Sequence, residues 1–321
     1  MPSLAVYAYS QTGQLYEALT ALVAPLEKAG SRVEWIAVRP KAPYPFPWPL
    51  RRFFGVFPDA VDPEAVVDID VDPPRAPRAD LVVLGFQVWY LAPSIPVRSL
   101  LALRSFGGQS VIGVVACRNM WYSAALDVRH RVERAEGRYL GTVAAIDAAP
   151  AAVTFVTTLA WLLRGRRAPI WRLPPAGISA SEITRLGELG EALAARFTAD
   201  AAGTDTTGLG TGTDTVAGAS LDERVRQVLA ARDAAPVDVP IAAGDLIAGR
   251  AFALWGRIIR ASTRRTWRVT LTVAFVAGLL GAIVLGLPLL VLVSLLGRSR
   301  LDAAVRARLA PVRAPAAAGS R

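Results

Sequence analysis

The chain has 321 residues and a net charge of +10, and arginine carries almost all of its positive charge. Its single cysteine, Cys117, and single histidine, His130, exclude an intramolecular disulfide framework and the Cys- and His-rich metal sites. The basic excess clusters around one apolar C-terminal segment, which favours a membrane over nucleic acid as the partner. The N-terminus has no basic region before its apolar run and no cleavage site, so we expect no signal peptide and a cytoplasmic N-terminal domain.

The stretch from Leu4 to Leu15, LAVYAYSQTGQL, combines a buried strand, a hydroxyl-rich turn and the start of an amphipathic helix. Such a turn directs backbone N–H groups and hydroxyls to the positive end of a helix dipole, which suits a phosphate. No lysine follows Gly13, so the turn is not a nucleoside-triphosphate loop, and a phosphate held by neutral donors suits a mononucleotide such as FMN. The alternative is an ordinary corner at which Ser10 and Thr12 cap the helix.

A second strand, Arg32 to Val38, leads into a tract from Arg39 to Pro58 that is rich in proline and aromatic residues. Prolines at alternate positions are incompatible with a helix or a sheet interior, so we expect an extended loop. The aromatic side chains either pack on the domain or line a pocket for an apolar ligand, and the sequence leaves both interpretations open.

Three further buried strands are predicted, at Asp80–Gly85, Val111–Ala116 and Gly141–Ile146, with helices between them. Strands that alternate with helices indicate an α/β fold with a parallel sheet, and five such strands fit the doubly wound order 2-1-3-4-5. In this kind of sheet the ligand binds at the carboxyl ends of the strands, beside the switch point. The rule selects the loops after the first, third and fourth strands. The first offers phosphate donors, and the other two offer the aromatic faces that a flavin ring needs.

The C-terminal third differs in composition from the rest of the chain. We predict a domain at 1–198, a flexible linker rich in glycine, threonine and alanine at 199–220, and basic amphipathic helices at 221–268. In the helix from Gly244 to Arg268, arginine recurs every seven residues opposite an apolar side. The residues of that apolar side are Leu246, Ile247, Leu254, Trp255, Ile258 and Ile259.

Residues 269–296 carry no charged side chain, and they exceed the roughly 20 residues that a helix needs to cross a bilayer. We therefore predict a single C-terminal transmembrane helix, followed by a basic tail at 297–321, on a protein at the cytoplasmic face of the inner membrane. A re-entrant hairpin turning at Gly286 to Pro288 is the alternative.

Five sequence blocks taken together, YSQTGQ, PYPFPWP, FFGVFPDAV, GFQVWYLAPSIPV and ACRNMW, resemble a known family. They resemble the flavodoxin-like proteins of bacterial dialkylresorcinol biosynthesis, which are often labelled dialkylresorcinol condensing enzymes. The resemblance covers about residues 1 to 200. It implies an FMN-dependent oxidation, or aromatisation, of a dialkyl-cyclohexanedione to a dialkylresorcinol. Ser10, Thr12 and Gly13 also match the flavodoxin phosphate loop, although Leu15 stands where a final hydroxyl is usual.

The condensing label conflicts with the residues. Condensation of acyl thioesters usually needs a cysteine nucleophile with histidine partners, and only Cys117 and His130 are available. His130 falls on a charged helix, and Cys117 is expected to pack. We therefore interpret the chain as the redox partner of a separate ketosynthase and acyl carrier protein. Its substrate would be lipid-like, with the aromatic tract at the alkyl chains, and a quinone would be the electron acceptor.

The resemblance assigns roles to residues in the three selected loops. The residues expected to bind the FMN phosphate are Ser10, Gln11, Thr12, Gly13 and Gln14. The remaining cofactor-binding residues are Gln87, Trp89, Tyr90, Arg118, Asn119 and Trp121, of which the aromatic ones would flank the isoalloxazine. Arg118 would stabilise negative charge on reduced flavin or an enolate, with a strand-end salt bridge as its alternative, and Asn119 would orient a carbonyl. Two other function classes stay open: an FMN- or NAD(P)H-dependent quinone reductase, and a non-catalytic membrane scaffold.

Overall fold

The computed structural model describes residues 1–74, 78–147, 151–167, 172–203, 220–281 and 298–314. The strands in this part of the chain are β1 (Leu4–Ala8), β2 (Val33–Pro40), β3 (Ile69–Asp72), β4 (Leu81–Phe86), β5 (Val88–Trp89), β6 (Ala92–Pro93), β7 (Ser110–Cys117) and β8 (Arg138–Ile146). The helices of the first 203 residues are α1 (Gln14–Lys28), α2 (Leu50–Gly55), α3 (Phe57–Ala60), α4 (Ile95–Leu103), α5 (Tyr122–Arg134), α6 (Ala151–Arg164) and α7 (Ala180–Gly203). The later helices are α8 (Leu221–Ala231), α9 (Val239–Ala261), α10 (Arg265–Gly281) and α11 (Arg298–Leu309), with a 3-10 turn at Ala310–Val312.

Six of these strands form one sheet in the order β3-β2-β1-β4-β7-β8. The strands β2, β1, β4, β7 and β8 pair in parallel. Of these, β1, β4, β7 and β8 are apolar and largely buried, because helices cover both faces of the sheet. The predicted flavodoxin-like α/β arrangement is confirmed, since these strands follow the predicted order. The prediction of a five-stranded, all-parallel sheet is wrong.

The sixth strand, β3, pairs antiparallel with β2 at the edge of the sheet. Its sequence, IDVD, is four residues long and alternates half-buried apolar residues with exposed aspartates. That alternation is typical of an edge strand with one solvent-exposed face. Four residues are too few, however, to distinguish such a strand from a loop in the sequence. The sheet is therefore mixed.

Two helical layers cover the sheet. On one face α1 presents Leu15, Leu19, Leu22 and Leu26 to the sheet and to α7. Helices α1 and α7 approach closely at Gly190, where an added Cβ would overlap the backbone oxygen of Leu22. This close contact brings the start of α1 and the loop before α7 to the same end of the sheet.

The other face of the sheet is covered by α4 and α5 together with C-terminal elements. Ala242 of α9 and Leu309 of α11 are buried in the same apolar cluster as Val128 of α5. Helix α8 packs on the edge strand β8. The backbone N–H of Ala144 in β8 donates to the carbonyl oxygen of Ala234, shortly after α8. The predicted division into domains stays a prediction, and most of its linker, at 204–219, lies outside the described residues.

Helix α10 packs on α3 rather than standing apart from the sheet domain. The rings of Phe57 and Phe275 stack with centroids 3.9 Å apart. Helix α10 has 17 residues and begins at Arg265, within the segment that was read as one long amphipathic helix. Within the described ranges, no helix combines the length and the apolar content that a membrane crossing requires. The predicted transmembrane helix at 269–296, and with it the inner-membrane location, is therefore wrong; residues 282–296 of that segment lie outside the described part.

Candidate functional site

The three loops selected from the sequence meet at one edge of the sheet. In the parallel register, Ala8 at the end of β1 lies beside Gly85 in β4, and Gly85 lies beside Val114 in β7. The loops at 9–13, 87–91 and 118–121 therefore leave the sheet side by side. A cavity of about 430 Å³ lies at the opposite edge, around Asp80 and Ser110, and does not belong to this site.

The loop after β1 ends in a left-handed turn at the start of α1. Gly13 has a φ of 85°, a conformation that L side chains rarely adopt, and no atom lies within 4 Å of the position of an added Cβ. No side chain caps α1, so the alternative in which Ser10 and Thr12 cap the helix is wrong. The hydroxyl of Ser10 is buried and has no hydrogen-bond partner. The start of α1 is thus open, with an unsatisfied hydroxyl beside it.

Gln11 connects this loop to the aromatic tract. Its backbone N–H donates to Gln87 Oε1 at 3.1 Å, and its side-chain Nε2 donates to the carbonyl oxygen of Pro45 at 2.9 Å. Its Oε1 accepts from Trp48 Nε1 at 3.0 Å. These bonds occupy both ends of the side-chain amide. Gln11 therefore holds the tract over the loop.

Gln14 points away from the loop and holds a different segment. In the amide orientation that satisfies its neighbours, Gln14 Oε1 accepts from Ile178 N at 2.6 Å and from Arg167 Nη2 at 2.8 Å. Arg167 also pairs with Glu17 in the first turn of α1 at 3.3 Å. Gly177 permits this packing, because an added Cβ would overlap the Gln14 amide. Arg167 is a cation near the start of α1 that sequence reasoning missed, since its surroundings have no periodic pattern.

The loop after β4 is a small hairpin inside a cluster of aromatic rings. Trp89 makes edge contacts with Tyr9, Tyr44 and Trp48, at centroid distances of 6.1, 4.8 and 5.8 Å. Tyr90 has a φ of 50°, and its hydroxyl donates to the carbonyl oxygen of Phe53 at 2.6 Å. The aromatic tract therefore packs on the domain, which was one of its two interpretations. Burial raises the pKa of Tyr90, so this phenol stays neutral.

The loop after β7 is largely buried. Trp121 is fully buried with its ring 4.4 Å from that of Tyr122, so it presents no free face to a flavin in this conformation. Both Trp121 Nε1 and Asn119 Oδ1 are buried without a hydrogen-bond partner. Burial lowers the pKa of Arg118, while the charges of Cys117 and Asp147 oppose that shift. The loop thus combines a buried cation with two unsatisfied polar atoms.

The two candidates for covalent chemistry are not arranged for it. Burial raises the pKa of the Cys117 thiol, and the Asp245 carboxylate raises it further, so the nucleophilic thiolate is disfavoured. His130 is exposed on α5, two turns after the loop at 118–121, and it does not lie in any of the three loops of the site. This geometry agrees with the interpretation that the chain does not carry out condensation itself.

One further charged group at this edge was missed from the sequence. Asp245 of α9 is completely buried, and its carboxylate accepts hydrogen bonds from Tyr122 N at 3.1 Å and Ser123 N at 3.0 Å. Burial raises the pKa of Asp245 to about 6. A signal existed in the sequence, because Asp245 is the one acidic residue of an otherwise apolar and basic helix.

No protein-family model matches the chain, and no curated protein sequence matches it significantly. Solved structures with a similar backbone include a flavoprotein from Lactobacillus acidophilus NCFM in complex with FMN. It is 14% identical, the match covers 44% of this chain and 91% of that chain, and the TM-score is 0.38. Another is a flavodoxin from the domain Archaea, 13% identical over 62% of this chain and 99% of that chain, with a TM-score of 0.32. At these identities and TM-scores the likeness carries no conclusion about the function of this chain.

Proposed function

We propose that this chain is an FMN-binding, flavodoxin-like oxidoreductase. The observation that carries the proposal is the buried, unpartnered hydroxyl of Ser10 beside the uncapped start of α1. A buried polar group without a partner costs about 1–3 kcal/mol, and a phosphate oxygen at this point would satisfy it. Helix starts without a cap are also favourable places for an anion.

The residues present fit the phosphate end of FMN. Ser10, Thr12 and the backbone around Gly13 would bind the phosphate, and Arg167 adds a nearby positive charge. Gln11 and Gln14 have no such role in this proposal, because the side chain of Gln11 holds the aromatic tract and that of Gln14 bonds to Arg167 and Ile178. At the ring end, Asn119 Oδ1 offers an acceptor to a ring N–H, and Trp89 offers an aromatic edge.

The reaction that we propose is oxidation of a dialkyl-cyclohexanedione to a dialkylresorcinol. When bound, FMN supplies the acceptor for a hydride, and the second hydrogen leaves the ring as a proton. Arg118, whose positive charge lies at the end of β7, would stabilise the enolate form of the dione. The proposal rests on the sequence blocks that resemble the dialkylresorcinol proteins, together with the apolar surroundings of the site.

A separate ketosynthase and acyl carrier protein would make the ring that this chain oxidises. The partly buried Cys117, with its raised pKa, supports this division of labour, because a condensing enzyme needs a thiolate. A quinone is proposed as the final electron acceptor.

Purification of the full chain tests FMN binding directly. We expect the visible absorbance of a flavin, and we expect the extracted cofactor to be FMN. Replacing Ser10 by alanine should raise the dissociation constant of FMN by about tenfold or more, since hydrogen bonds to charged groups contribute about 1.5–3 kcal/mol. Riboflavin, which lacks the phosphate, should bind the variant and the wild type alike.

Ser31→Ala is the matched control for Ser10→Ala. The Ser31 hydroxyl is also buried and unpartnered, but it lies before β2, at the opposite edge of the sheet. It should leave the affinity for FMN unchanged. A colourless protein that takes up neither flavin would refute the proposal. Turnover of quinones but not of cyclohexanediones by a flavin-loaded protein would instead identify a quinone reductase.

A non-catalytic scaffold is the second candidate, because the site is covered in this conformation. Trp48 is 5% exposed, and its hydrogen bond to Gln11 holds the aromatic tract over the loop after β1. Retention of ketosynthase or carrier-protein binding by a chain without flavin would favour this alternative.

A further inference from the structure

Helix α9 inserts a buried carboxylate at the start of α5, more than a hundred residues away along the chain. The two carboxylate oxygens of Asp245 accept the backbone N–H groups of Tyr122 and Ser123, at 3.1 and 3.0 Å. The Ser123 hydroxyl donates back to the carbonyl oxygen of Asp245 at 3.3 Å. Helix α5 has no side-chain cap of its own from Trp121, so Asp245 replaces it from another element.

The contact between α9 and α5 extends beyond the carboxylate. The backbone N–H of Asp238 donates to Tyr122 Oη at 3.1 Å, before the first turn of α9. One turn after Asp245, an added Cβ at Gly249 would come within 2.8 Å of Ser123 Oγ. A side chain at position 249 would therefore displace the Ser123 hydroxyl. Helix α9 therefore contacts the start of α5 at three successive positions: Asp238, Asp245 and Gly249.

The residues of α5 that bond to Asp245 directly follow the loop at 118–121. Tyr122 and Ser123 are the first two residues of α5, and Trp121 packs against the Tyr122 ring. Helix α5 itself is anchored in the core by Val128 and Val132. Fixing its first turn therefore fixes the exit of the loop that carries Asn119, whose Oδ1 is unsatisfied.

We propose that Asp245 is a positioning residue of the candidate flavin site. It caps α5 from α9 and so holds the loop at 118–121 in the geometry that binds the flavin ring. Helix α9, which the sequence placed among membrane-proximal elements, becomes a structural part of the cofactor site. The inference rests on the proposed FMN binding, but it concerns the ring end of the site and not the phosphate end.

Dissociation constants of FMN and riboflavin, measured on the full chain by quenching of flavin fluorescence, test this inference. Loss of a helix cap costs about 0.5–2 kcal/mol, which corresponds to about two- to thirtyfold, so Asp245→Ala should raise both constants within this range. Their ratio should stay at the wild-type value, because the phosphate end is untouched. Asp245→Asn, which keeps one acceptor oxygen, should have a smaller effect on both constants.

Ser220→Ala is the control, because Ser220 also caps a helix: its hydroxyl accepts from Glu223 N at 3.3 Å at the exposed start of α8, away from the candidate site. Its flavin constants should equal those of the wild type. Wild-type constants in both Asp245 variants would overturn the inference. So would a fall in binding stoichiometry with unchanged constants, which is the result of a purely structural role. A wild-type chain that binds neither flavin would instead overturn the proposed function.

Discussion

The stability of this protein should depend on pH through Asp245, with a sign opposite to that of most carboxylates. Burial raises the pKa of this carboxyl from 3.8 to about 6, against the opposing effect of the hydrogen bonds from Tyr122 and Ser123. A carboxyl with a higher pKa in the folded chain binds its proton more tightly when folded. Its favourable contribution is therefore complete below the unfolded value of 3.8 and is lost as the pH rises through 6.

The magnitude follows from the difference between the two pKa values. At 1.36 kcal/mol per pKa unit, a rise from 3.8 to about 6 changes the free energy of unfolding by about 3 kcal/mol over the whole range. Roughly half of this falls between pH 5 and pH 7.5. Cys117 and Tyr122 are charged neighbours of Asp245 only when ionised, and burial raises both of their pKa values. They stay neutral across this range, so the titration belongs to Asp245.

Urea unfolding of the wild type and of Asp245→Asn at the two pH values measures this effect. Going from pH 5 to pH 7.5, the wild type should lose roughly 1–2 kcal/mol relative to the variant. Asp80→Asn provides the control, because hydrogen bonds from Ser3 lower the pKa of Asp80 and place its titration below this pH range, so the pH dependence between pH 5 and pH 7.5 should equal that of the wild type. Parallel pH dependences for wild type and Asp245→Asn would refute the burial argument. The reverse sign would mean that the two N–H bonds and the helix dipole outweigh desolvation.

Three further predictions concern packing. Gly190→Ala should force α1 and α7 apart and lower the free energy of unfolding by about 1–3 kcal/mol, measured by thermal melting. Gly187→Ala is the control, because its Cβ would lie 3.8 Å from its nearest neighbour, and it should be tolerated. Gln11→Ala should release Trp48 to solvent and shift tryptophan emission to longer wavelength; unchanged emission would contradict the described cover. Phe275→Ala removes a buried ring that stacks on α3, so we expect a loss of about 3 kcal/mol in chemical unfolding, and a neutral result would contradict the docking of α10.

The sheet was predictable because its signal is local. Each parallel strand is a short apolar run between polar turns, and the alternation with helices leaves few topologies. The runs LAVYA and LVVLGF are buried at every position, as expected for the centre of such a sheet. Edge strand β3 was not predicted, because it has only four residues and two of them are exposed aspartates, so it lacks an apolar run. A strand of that length becomes recognisable only from its partner β2.

The site was predictable as a set of loops, but not as a set of side-chain directions. Parallel strands fix which loops meet, whereas the packing of distant segments decides where each side chain points. Gln14 was expected at the phosphate and instead holds Ile178, from a loop without periodic pattern. Trp121 was expected against a flavin ring and is fully buried, next to the turn of α5 that Asp245 of α9 caps.

The buried face of α9 was predicted from its large apolar side chains, and several of these side chains are exposed instead. Of the residues read as its apolar side, Ile247, Leu254 and Ile258 are exposed. The face that packs instead carries small residues and one acid, such as Ala242, Asp245 and Gly256, because the helix lies very close to its neighbours. Large exposed apolar residues next to an uncharged stretch also resemble a membrane-proximal helix. Close helix packing and membrane proximity therefore leave similar sequence patterns.

The helix starts at the site edge indicate how many phosphates this protein would bind. Within the described part of the chain, three helices begin at the three selected loops: α1 after β1, α4 after the β5–β6 hairpin and α5 after β7. The start of α5 is occupied by Asp245, whose charge repels an anion. The start of α4 is buried around Ser94 and Pro96, and Pro96 has no N–H to offer. Only α1 begins beside an exposed residue, Gly13, without a side-chain cap. One accessible anion position supports a mononucleotide such as FMN over a dinucleotide, whose pyrophosphate brings a second charged group to the same edge.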